Sequence, residues 1–221
     1  RIDHRDLILH SRAKNNQGLY AIADTATIDD VFLSEKVRLV LSGGCSVLQY
    51  RDKSSDKEKR LRQARELRQL CRDVKAVFII NDDAELAMQV DADGVHCGKN
   101  DATVSETRRR YPELLIGATC YNSLDRAERA VNDGADYLAF GSFYPSSTKP
   151  DATPADIVTL QQASQRFDHP LVAIGGIMVE NAPLLISSGA SAVAVINSVF
   201  ATADPCRSSQ EFSALFKPQD R

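Results

Sequence analysis

Apolar and polar positions along the chain follow two different periods. Short segments typical of strands, most of them rich in apolar residues, occur at 19–24, 47–53, 76–80, 93–97, 114–119, 137–141, 171–174 and 192–196. Between these runs, apolar residues recur at the spacing of one face of a surface helix. This spacing predicts helices over 33–41, 61–71, 84–90, 123–132, 155–166 and 181–188, with further helices from Thr103 and from about Ser198.

Strand and helix alternate about eight times with short connections, which predicts a parallel sheet. About eight such units close naturally into a single (β/α)8 barrel, the TIM barrel, and an open doubly wound sheet is the structural alternative. We expect a lead-in over residues 1–18, the barrel over 19–204 and a tail over 205–221 with one more short helix around Phe212.

Three acidic or hydroxyl residues predict where helices begin. Ser55 with Glu58, and Thr103 with Glu106, have the spacing of a capping box. Asp83 is expected to cap the helix that follows the third strand.

Composition narrows the class of protein. The chain has 221 residues, of which 43% are apolar and 26% charged, as in a soluble globular domain. The net charge of −3 argues against a general basic surface for nucleic acid or an anionic membrane. An anionic ligand must therefore be bound by local cations. No apolar run approaches the length of a membrane span.

The five cysteines are odd in number and lack any Cys-x-x-Cys pairing. This pattern indicates reduced thiols and a cytoplasmic protein, and nothing marks Cys97 or Cys120 as a nucleophile. Because the chain begins at Arg1, a leader or a fusion partner before it is an open question. The oligomeric state is open too, a homo-oligomer included.

The stretch 47–53 carries the strongest chemical signal. In an extended strand, Gln49, Arg51 and Lys53 point to the same side. An amide and two cations at the carboxyl end of a strand, just before a helix, form a natural seat for a phosphorylated group. The alternative is an ordinary edge strand with solvated charges.

Other polar residues follow the remaining predicted strands. In a closed barrel, the carboxyl ends of the strands form one shared rim, so residues far apart in sequence would meet at one mouth. The residues expected there are Gln49, Arg51, Lys53, Asn81, Asp82, Asp101, Thr119, Lys149, Gly175, Gly176, Ile196 and Asn197.

Two carboxylates at this rim suggest a metal site. Asp82 and Asp101 offer hard oxygen ligands, and Mg²⁺ prefers a few carboxylates together with waters and substrate phosphate oxygens. The alternative is that Asp82 caps a helix and Asp101 only turns the chain. His96 lies within a strand and is expected to be a hydrogen-bonded core histidine rather than a base.

Taken together, the motifs resemble those of the thiamine phosphate synthase family, from about Leu19 to Phe200. The resemblance rests on ordered motifs with matching spacing: Gln49 to Lys53, Asn81 to Asp83, Asp93 to His96 with Gly98 and Asp101, Pro145 to Lys149, and Gly175 to Ile177. It implies a (β/α)8 barrel that joins an aminopyrimidine methyl diphosphate to a thiazole ethyl phosphate and releases pyrophosphate.

The resemblance also implies roles for individual residues. The diphosphate would be held by Gln49, Arg51, Lys53, Asn81 and Lys149, of which Arg51, Lys53 and Lys149 would be catalytic. Mg²⁺ would be held by Asp82 and Asp101. Hydroxyl contacts would come from Thr119, Ser146 and Thr148, and the thiazole phosphate would be held by Gly176, Ile196 and Asn197. The implied mechanism is dissociative: diphosphate leaves, and the thiazole nitrogen captures the resulting carbocation.

Four positions depart from the family's usual residues. They are Thr119 and Ser146, which keep a hydroxyl, Tyr121 where His is frequent, and Asn197 where Ser is usual. Asn197 puts the side-chain part of the thiazole phosphate site in doubt. A thiazole tautomerase with the same barrel, and a barrel that binds thiamine phosphate without catalysis, are the alternative functions. Neither of them needs the full set of leaving-group contacts.

Overall fold

The computed structural model describes residues 18–98, 103–145 and 154–217. Its eight parallel strands form a closed barrel in sequence order, because β8 pairs with β1 as well as with β7. The strands are β1 (Gly18–Asp24), β2 (Val47–Arg51), β3 (Val77–Asn81), β4 (Gly94–Cys97), β5 (Leu115–Tyr121), β6 (Tyr137–Gly141), β7 (Leu171–Ile174) and β8 (Ala192–Val195). The predicted (β/α)8 barrel is confirmed, and the open-sheet alternative is wrong.

A helix follows every strand. The helices are α1 (Asp30–Ser42), α2 (Lys57–Val74), α3 (Ala84–Gln89), α4 (Thr103–Arg110), α5 (Leu124–Asn132), α6 (Ile157–Arg166), α7 (Ala182–Ser187), α8 (Asn197–Phe200) and α9 (Pro205–Ala214). Among the described helices, none is long and apolar enough to cross a membrane.

Strand side chains are buried in two separate layers. Inward-pointing residues such as Tyr20, Val47 and Ile79 pack together inside the barrel. Outward-pointing residues such as Leu48 and Phe78 belong to the larger core between the strands and the helices. Because strand side chains alternate, Gln49 and Arg51 share the inner side with Val47.

The capping residue of α2 differs from the sequence prediction. Asp56, not Ser55, is the N-cap: its carboxylate accepts a hydrogen bond of 2.9 Å from the backbone N–H of Lys59. A carboxylate is favoured at this position because it also interacts with the positive end of the helix dipole. The prediction for Asp83 is confirmed, since its carboxylate accepts a hydrogen bond of 2.9 Å from the N–H of Leu86 at the start of α3.

Helix α9 packs against α1 on the outside of β1. The hydroxyl of Ser209 donates a hydrogen bond of 2.6 Å to the carbonyl of Val40, and Phe212 is fully buried. The two helices approach so closely that a Cβ at Gly43 would lie 2.4 Å from the carbonyl oxygen of Cys206. The division of the chain at residue 205 remains a prediction.

The cysteines behave as small buried residues. All five are thiols, and four of them are buried. Burial raises the pKa of Cys45 to about 12, so this thiol stays protonated and unreactive at neutral pH.

Candidate active site

The carboxyl end of β2 brings three of the predicted site residues to the barrel mouth. Gln49 is buried inside the barrel, Arg51 is partly exposed at the end of the strand, and Lys53 follows it. The Gln49 amide therefore lies inside the barrel, and the two cations lie closer to its rim.

Arg51 is held by a carboxylate that the sequence analysis missed. Asp24 ends β1 directly opposite Arg51, and its Oδ2 accepts a hydrogen bond of 2.5 Å from the guanidinium. The Asp24 side chain is only 2% exposed. Its other oxygen accepts a hydrogen bond of 3.1 Å from the backbone N–H of Ala26. The position of Asp24 at the carboxyl end of a strand was the signal that could have identified it.

Lys53 makes a matching ion pair on the other side of β2. Its ammonium donates to Oδ2 of Asp82, which directly follows β3, and Oδ1 of Asp82 accepts from the N–H of Gly98 at 3.1 Å. Partial burial disfavours the charged carboxylate, but the hydrogen bond and charge of Lys53 outweigh it and lower the pKa of Asp82. Asp82 is therefore ionised at neutral pH, and its two oxygens contact Lys53 and Gly98.

Asp82 and its neighbour Asp83 have different tasks. Asp82 adopts a left-handed backbone conformation with φ of 61°, which is uncommon for a residue other than glycine and often marks a functional position. Asp83 caps α3 and accepts a hydrogen bond of 2.8 Å from Arg60. The carboxylate of Asp83 is thus occupied by structural contacts.

A cleft of about 430 Å³ opens beside this part of the rim. Asn81, the last residue of β3, lines it. The cleft also contains side chains of both signs, among them Lys53, Arg60, Asp82, Glu106 and Arg110. Its polar walls suit a charged ligand better than an apolar one.

Below the rim, a chain of hydrogen bonds crosses the barrel interior. Gln49 Nε2 donates to the Tyr20 hydroxyl at 2.8 Å, and this hydroxyl lies 2.9 Å from the hydroxyl of Tyr137. Tyr137 Oη is 3.0 Å from Nδ1 of His96, whose Nε2 is 2.9 Å from Oγ1 of Thr119. Two predicted site residues, Gln49 and Thr119, are therefore the two ends of one network.

His96 is the hydrogen-bonded core histidine that the sequence predicted. Tyr20 and Tyr137 were not among the predicted site residues, although a buried tyrosine usually requires a hydrogen-bond partner. Both lie within apolar sequence segments, where a tyrosine is easily taken for an ordinary core residue.

The loops after β6 and β7 meet closely on the opposite side of the mouth. Gly176 has φ of 60°, and a Cβ there would lie 2.4 Å from the carbonyl oxygen of Pro145. Its own carbonyl accepts a hydrogen bond of 3.2 Å from the side chain of Asn181. Glycine is thus required at 176 by both conformation and space.

The last predicted site residues lie just after β8. Ile196 is the N-cap of the short helix α8, and Asn197 is its first residue. Ser198 ties this turn to the loop after β7, because its hydroxyl donates a hydrogen bond of 2.6 Å to the carbonyl of Ile177. The structure therefore places Gly176, Ile196 and Asn197 on connected loops at one end of the barrel.

Four predicted site residues lie outside the described residues. They are Asp101, Ser146, Thr148 and Lys149. Within the described ranges, no group of three or more metal-ligating side chains is found. Tyr121, one of the departures from the family pattern, ends β5, and the Arg126 guanidinium lies 5.1 Å from its ring centre.

Comparisons with known sequences agree on one family. Residues 19–199 match the family model described as thiamine monophosphate synthase. The chain is 48% identical over 188 residues to the thiamine-phosphate synthase of Alcanivorax borkumensis, covering 85% of this chain and 87% of that protein. It is 46% identical over 200 residues to the thiamine-phosphate synthase of Thiobacillus denitrificans, covering 90% and 94%.

Comparison with solved structures supports the same family and the same fold. A thiamine phosphate pyrophosphorylase from Pyrococcus furiosus superimposes with a TM-score of 0.84 and 33% identity, covering 92% of this chain and 96% of that one. An (S)-3-O-geranylgeranylglyceryl phosphate synthase from Thermoplasma acidophilum has a TM-score of 0.70 at 12% identity, which shows a shared fold only.

Proposed function

The chain belongs to the thiamine monophosphate synthase family and is an enzyme, and we propose how its barrel mouth performs the family's reaction. The resemblance seen in the sequence motifs is thereby confirmed. The reaction proposed here is the condensation of 4-amino-2-methyl-5-hydroxymethylpyrimidine diphosphate with 4-methyl-5-(2-hydroxyethyl)thiazole phosphate. The products are thiamine phosphate and pyrophosphate.

The strongest support is the pair of cations that β2 presents at the mouth. Arg51 and Lys53 are each held by a carboxylate from a neighbouring strand, Asp24 at the end of β1 and Asp82 after β3. Such fixed donors stabilise charge that develops in a transition state without having to reorganise first. Gln49, Asn81 and Lys149 would complete the set that holds the diphosphate.

Bond breaking would place negative charge where these cations lie. When the carbon–oxygen bond of the methyl diphosphate breaks, both electrons remain on the oxygen, and pyrophosphate departs. The amino group of the pyrimidine stabilises the cation left on the carbon. The thiazole nitrogen then donates its lone pair to that carbon and forms the new carbon–nitrogen bond. No protein nucleophile is required.

Charge balance at the mouth favours a metal cofactor. The negative charge of Asp24 balances the positive charge of Arg51, and that of Asp82 balances Lys53. These four side chains together therefore carry no net charge. A diphosphate therefore needs further positive charge, which Lys149 and Mg²⁺ would supply.

The described residues fit Mg²⁺. Asp82 is an ionised carboxylate at the rim, and Mg²⁺ commonly uses one or two carboxylates with waters and substrate oxygens. Asp82 and Asp101 would hold the ion. When bound, it would supply positive charge beside the diphosphate oxygens.

The remaining predicted residues would bind the other parts of the substrates. The thiazole phosphate would lie against Gly176, Ile196 and Asn197, and backbone N–H groups would bind it even though Asn197 replaces the usual serine. Hydroxyl contacts would come from Thr119, Ser146 and Thr148. The thiol form of the cysteines supports a reducing compartment, so we place the reaction in the cytoplasm.

One assay separates this activity from the alternatives. The protein is incubated with both phosphorylated substrates, with Mg²⁺ or with EDTA, and thiamine phosphate and pyrophosphate are quantified. We expect equal amounts of both products with Mg²⁺ and almost none with EDTA. Interconversion of thiazole tautomers alone would indicate a tautomerase. Binding of thiamine phosphate without any turnover would indicate a non-catalytic binding barrel.

A further inference from the structure

Five side chains form a continuous hydrogen-bond chain through the barrel, from β2 to β5. In order, they are Gln49, Tyr20, Tyr137, His96 and Thr119, and each link is between 2.8 and 3.0 Å long. Tyr20 and Tyr137 are each only 1% exposed. Their protons must therefore be donated within the protein rather than to bulk water.

The direction of the chain is set at Gln49. Its Nε2 donates to the oxygen of Tyr20, and in the proton order that follows from this donor the hydroxyl of Tyr20 donates to the oxygen of Tyr137, 2.9 Å away. In the same order, Tyr137 accepts this hydrogen bond and donates its own to Nδ1 of His96, 3.0 Å away. Each hydroxyl in this order donates one hydrogen bond and accepts one.

His96 passes the direction on to Thr119. Because its Nδ1 accepts from Tyr137, a neutral His96 carries its proton on Nε2 and donates it to Oγ1 of Thr119. Thr119 Oγ1 then accepts from His96, and its hydroxyl can donate a hydrogen bond to a ligand. At the other end, one of the two N–H groups of the Gln49 amide is donated to Tyr20, so its second N–H and its oxygen remain for a ligand.

Burial keeps the links protonated. Removal from water raises the pKa of Tyr20, and the pKa of Tyr137 is raised well above its usual value by burial and by the neighbouring Tyr20. Both phenols therefore remain neutral donors over the whole physiological range.

Close packing fixes the chain in place. The Tyr137 ring stacks on His96 with ring centres 5.6 Å apart and an angle of 29° between the planes. Gly117 makes room for it, because a Cβ there would lie 2.0 Å from the Tyr137 ring. The rings have little freedom to break one link independently of the others.

We propose that Tyr20, Tyr137 and His96 are positioning residues whose single proton order fixes which way the Gln49 amide faces and makes Thr119 a donor at the barrel mouth. This inference rests on the proposed function, in which Gln49 helps to hold the diphosphate of the pyrimidine substrate and Thr119 adds a hydroxyl contact. A matching substrate places an acceptor towards β5, while its diphosphate accepts from the second N–H of Gln49. The opposite order would require Gln49 to turn its oxygen towards Tyr20 and would make Thr119 an acceptor.

The histidine tautomer reports the proton order directly. In a ¹⁵N-histidine spectrum of the wild-type protein at about pH 8, where an ordinary histidine is neutral, we expect His96 as the Nε2–H tautomer. The His96 signals are assigned by their loss in His96→Gln. An Nδ1–H tautomer, or a doubly protonated ring, would overturn the inference. This measurement needs no substrate and no turnover.

Two variants test the coupling to substrate. Tyr137→Phe removes the donor to His96, so we expect mixed tautomers. Tyr20→Phe leaves that donor in place, so the Nε2–H tautomer should persist while the amide of Gln49 loses its constraint. Both should raise KM for the pyrimidine diphosphate by roughly tenfold and leave KM for the thiazole phosphate unchanged.

Tyr50→Phe is the matched control. The Tyr50 hydroxyl is also buried and donates to Gln63 at 2.5 Å, but its ring lies outside the barrel. This control should lose thermal stability without a change in the His96 tautomer or in either KM. If Tyr20→Phe behaved like Tyr50→Phe in both KM values, the positioning role would be wrong.

The two hypotheses fail in different ways. A wild-type protein without synthase activity but with the Nε2–H tautomer would end the proposed function and leave the proton order intact. An active enzyme with the Nδ1–H tautomer would do the reverse.

Discussion

Asp24 and Arg51 lie directly opposite each other at the carboxyl ends of β1 and β2, joined by a hydrogen bond of 2.5 Å. The carboxylate is buried, whereas the guanidinium is 24% exposed. The buried Asp24 carboxylate thus fixes the position of the partly exposed Arg51 guanidinium at the mouth. Asp24 acts on a ligand only through Arg51.

Asp24→Asn should therefore weaken catalysis without preventing folding. The amide keeps the shape of the side chain but removes its charge, so Arg51 is held less firmly. We expect kcat/KM to fall by roughly tenfold, since a hydrogen bond between charged groups is worth about 1.5–3 kcal/mol. Steady-state kinetics with both substrates would measure the change.

Glu128→Gln is the control for this substitution. Glu128 lies on α5 and forms an exposed ion pair with Arg166, and the substitution removes its charge. Such pairs contribute little, so activity should be unchanged. Equal losses in Asp24→Asn and Glu128→Gln would contradict a specific role for Asp24.

Asp82→Ala and Lys149→Ala should lower turnover much more than substrate binding. Both residues are proposed to act on charge that grows only as the diphosphate leaves, so their loss should appear mainly in kcat, by roughly 100-fold or more. Single-turnover kinetics and a separate binding titration would distinguish the two effects.

Lys57→Met is the matched control for the loss of positive charge in Lys149→Ala. Lys57 is an exposed residue at the start of α2, and its substitution should leave kcat within about twofold. Unchanged turnover in both Asp82→Ala and Lys149→Ala would remove the proposed assignment of the site.

Gly117→Ala should strain the barrel interior. The added Cβ would lie 2.0 Å from the Tyr137 ring, which is buried and hydrogen-bonded on two sides. We expect a loss of about 3 kcal/mol in the free energy of unfolding, as for other overpacked cores. Urea unfolding would measure it.

A double-mutant cycle tests the cause of that loss. Removing the ring with Tyr137→Ala should make the further change Gly117→Ala nearly neutral, because the clash no longer exists. Strictly additive losses would show that the strain arises elsewhere.

Asp52→Asn should destabilise the protein at neutral pH but less in acid. The Asp52 side chain is fully buried beside Lys59, which lies 2.9 Å away. Burial opposes its charge, but hydrogen bonds from Ser54 and Lys59 outweigh burial and hold the pKa of Asp52 well below its usual range. The stabilisation is therefore present above the unfolded-state pKa, about 4, and is lost as pH falls towards the lower folded-state pKa.

Unfolding in urea at several pH values would check this dependence. At pH 7 we expect Asp52→Asn to lose about 2 kcal/mol, and the difference from wild type should begin to shrink below about pH 4. Asp73→Asn, which changes an exposed carboxylate on α2, should show no comparable loss. A pH-independent loss in Asp52→Asn would instead indicate a packing effect.

Local sequence patterns determined much of this protein. The apolar runs and helical spacings predicted the barrel, and the strand ends predicted that Gln49, Arg51, Asn81 and Asp82 would share one rim. The cap at Asp83 and the core position of His96 were also predicted. These features depend on periods of two and 3.6 residues and on backbone groups within a few positions, all of which are local.

Only the tertiary structure decided which side chains pair between strands. Asp24 with Arg51, Lys53 with Asp82, and Tyr20 with Tyr137 are partners separated by 27, 29 and 117 residues. The two ion pairs depend on the register of neighbouring strands, and the contact between Tyr20 and Tyr137 depends on closure of the barrel, neither of which a local pattern encodes. A charged or phenolic side chain has several partners available in sequence, and the fold selects among them by bringing one within hydrogen-bond distance and excluding water from the pair.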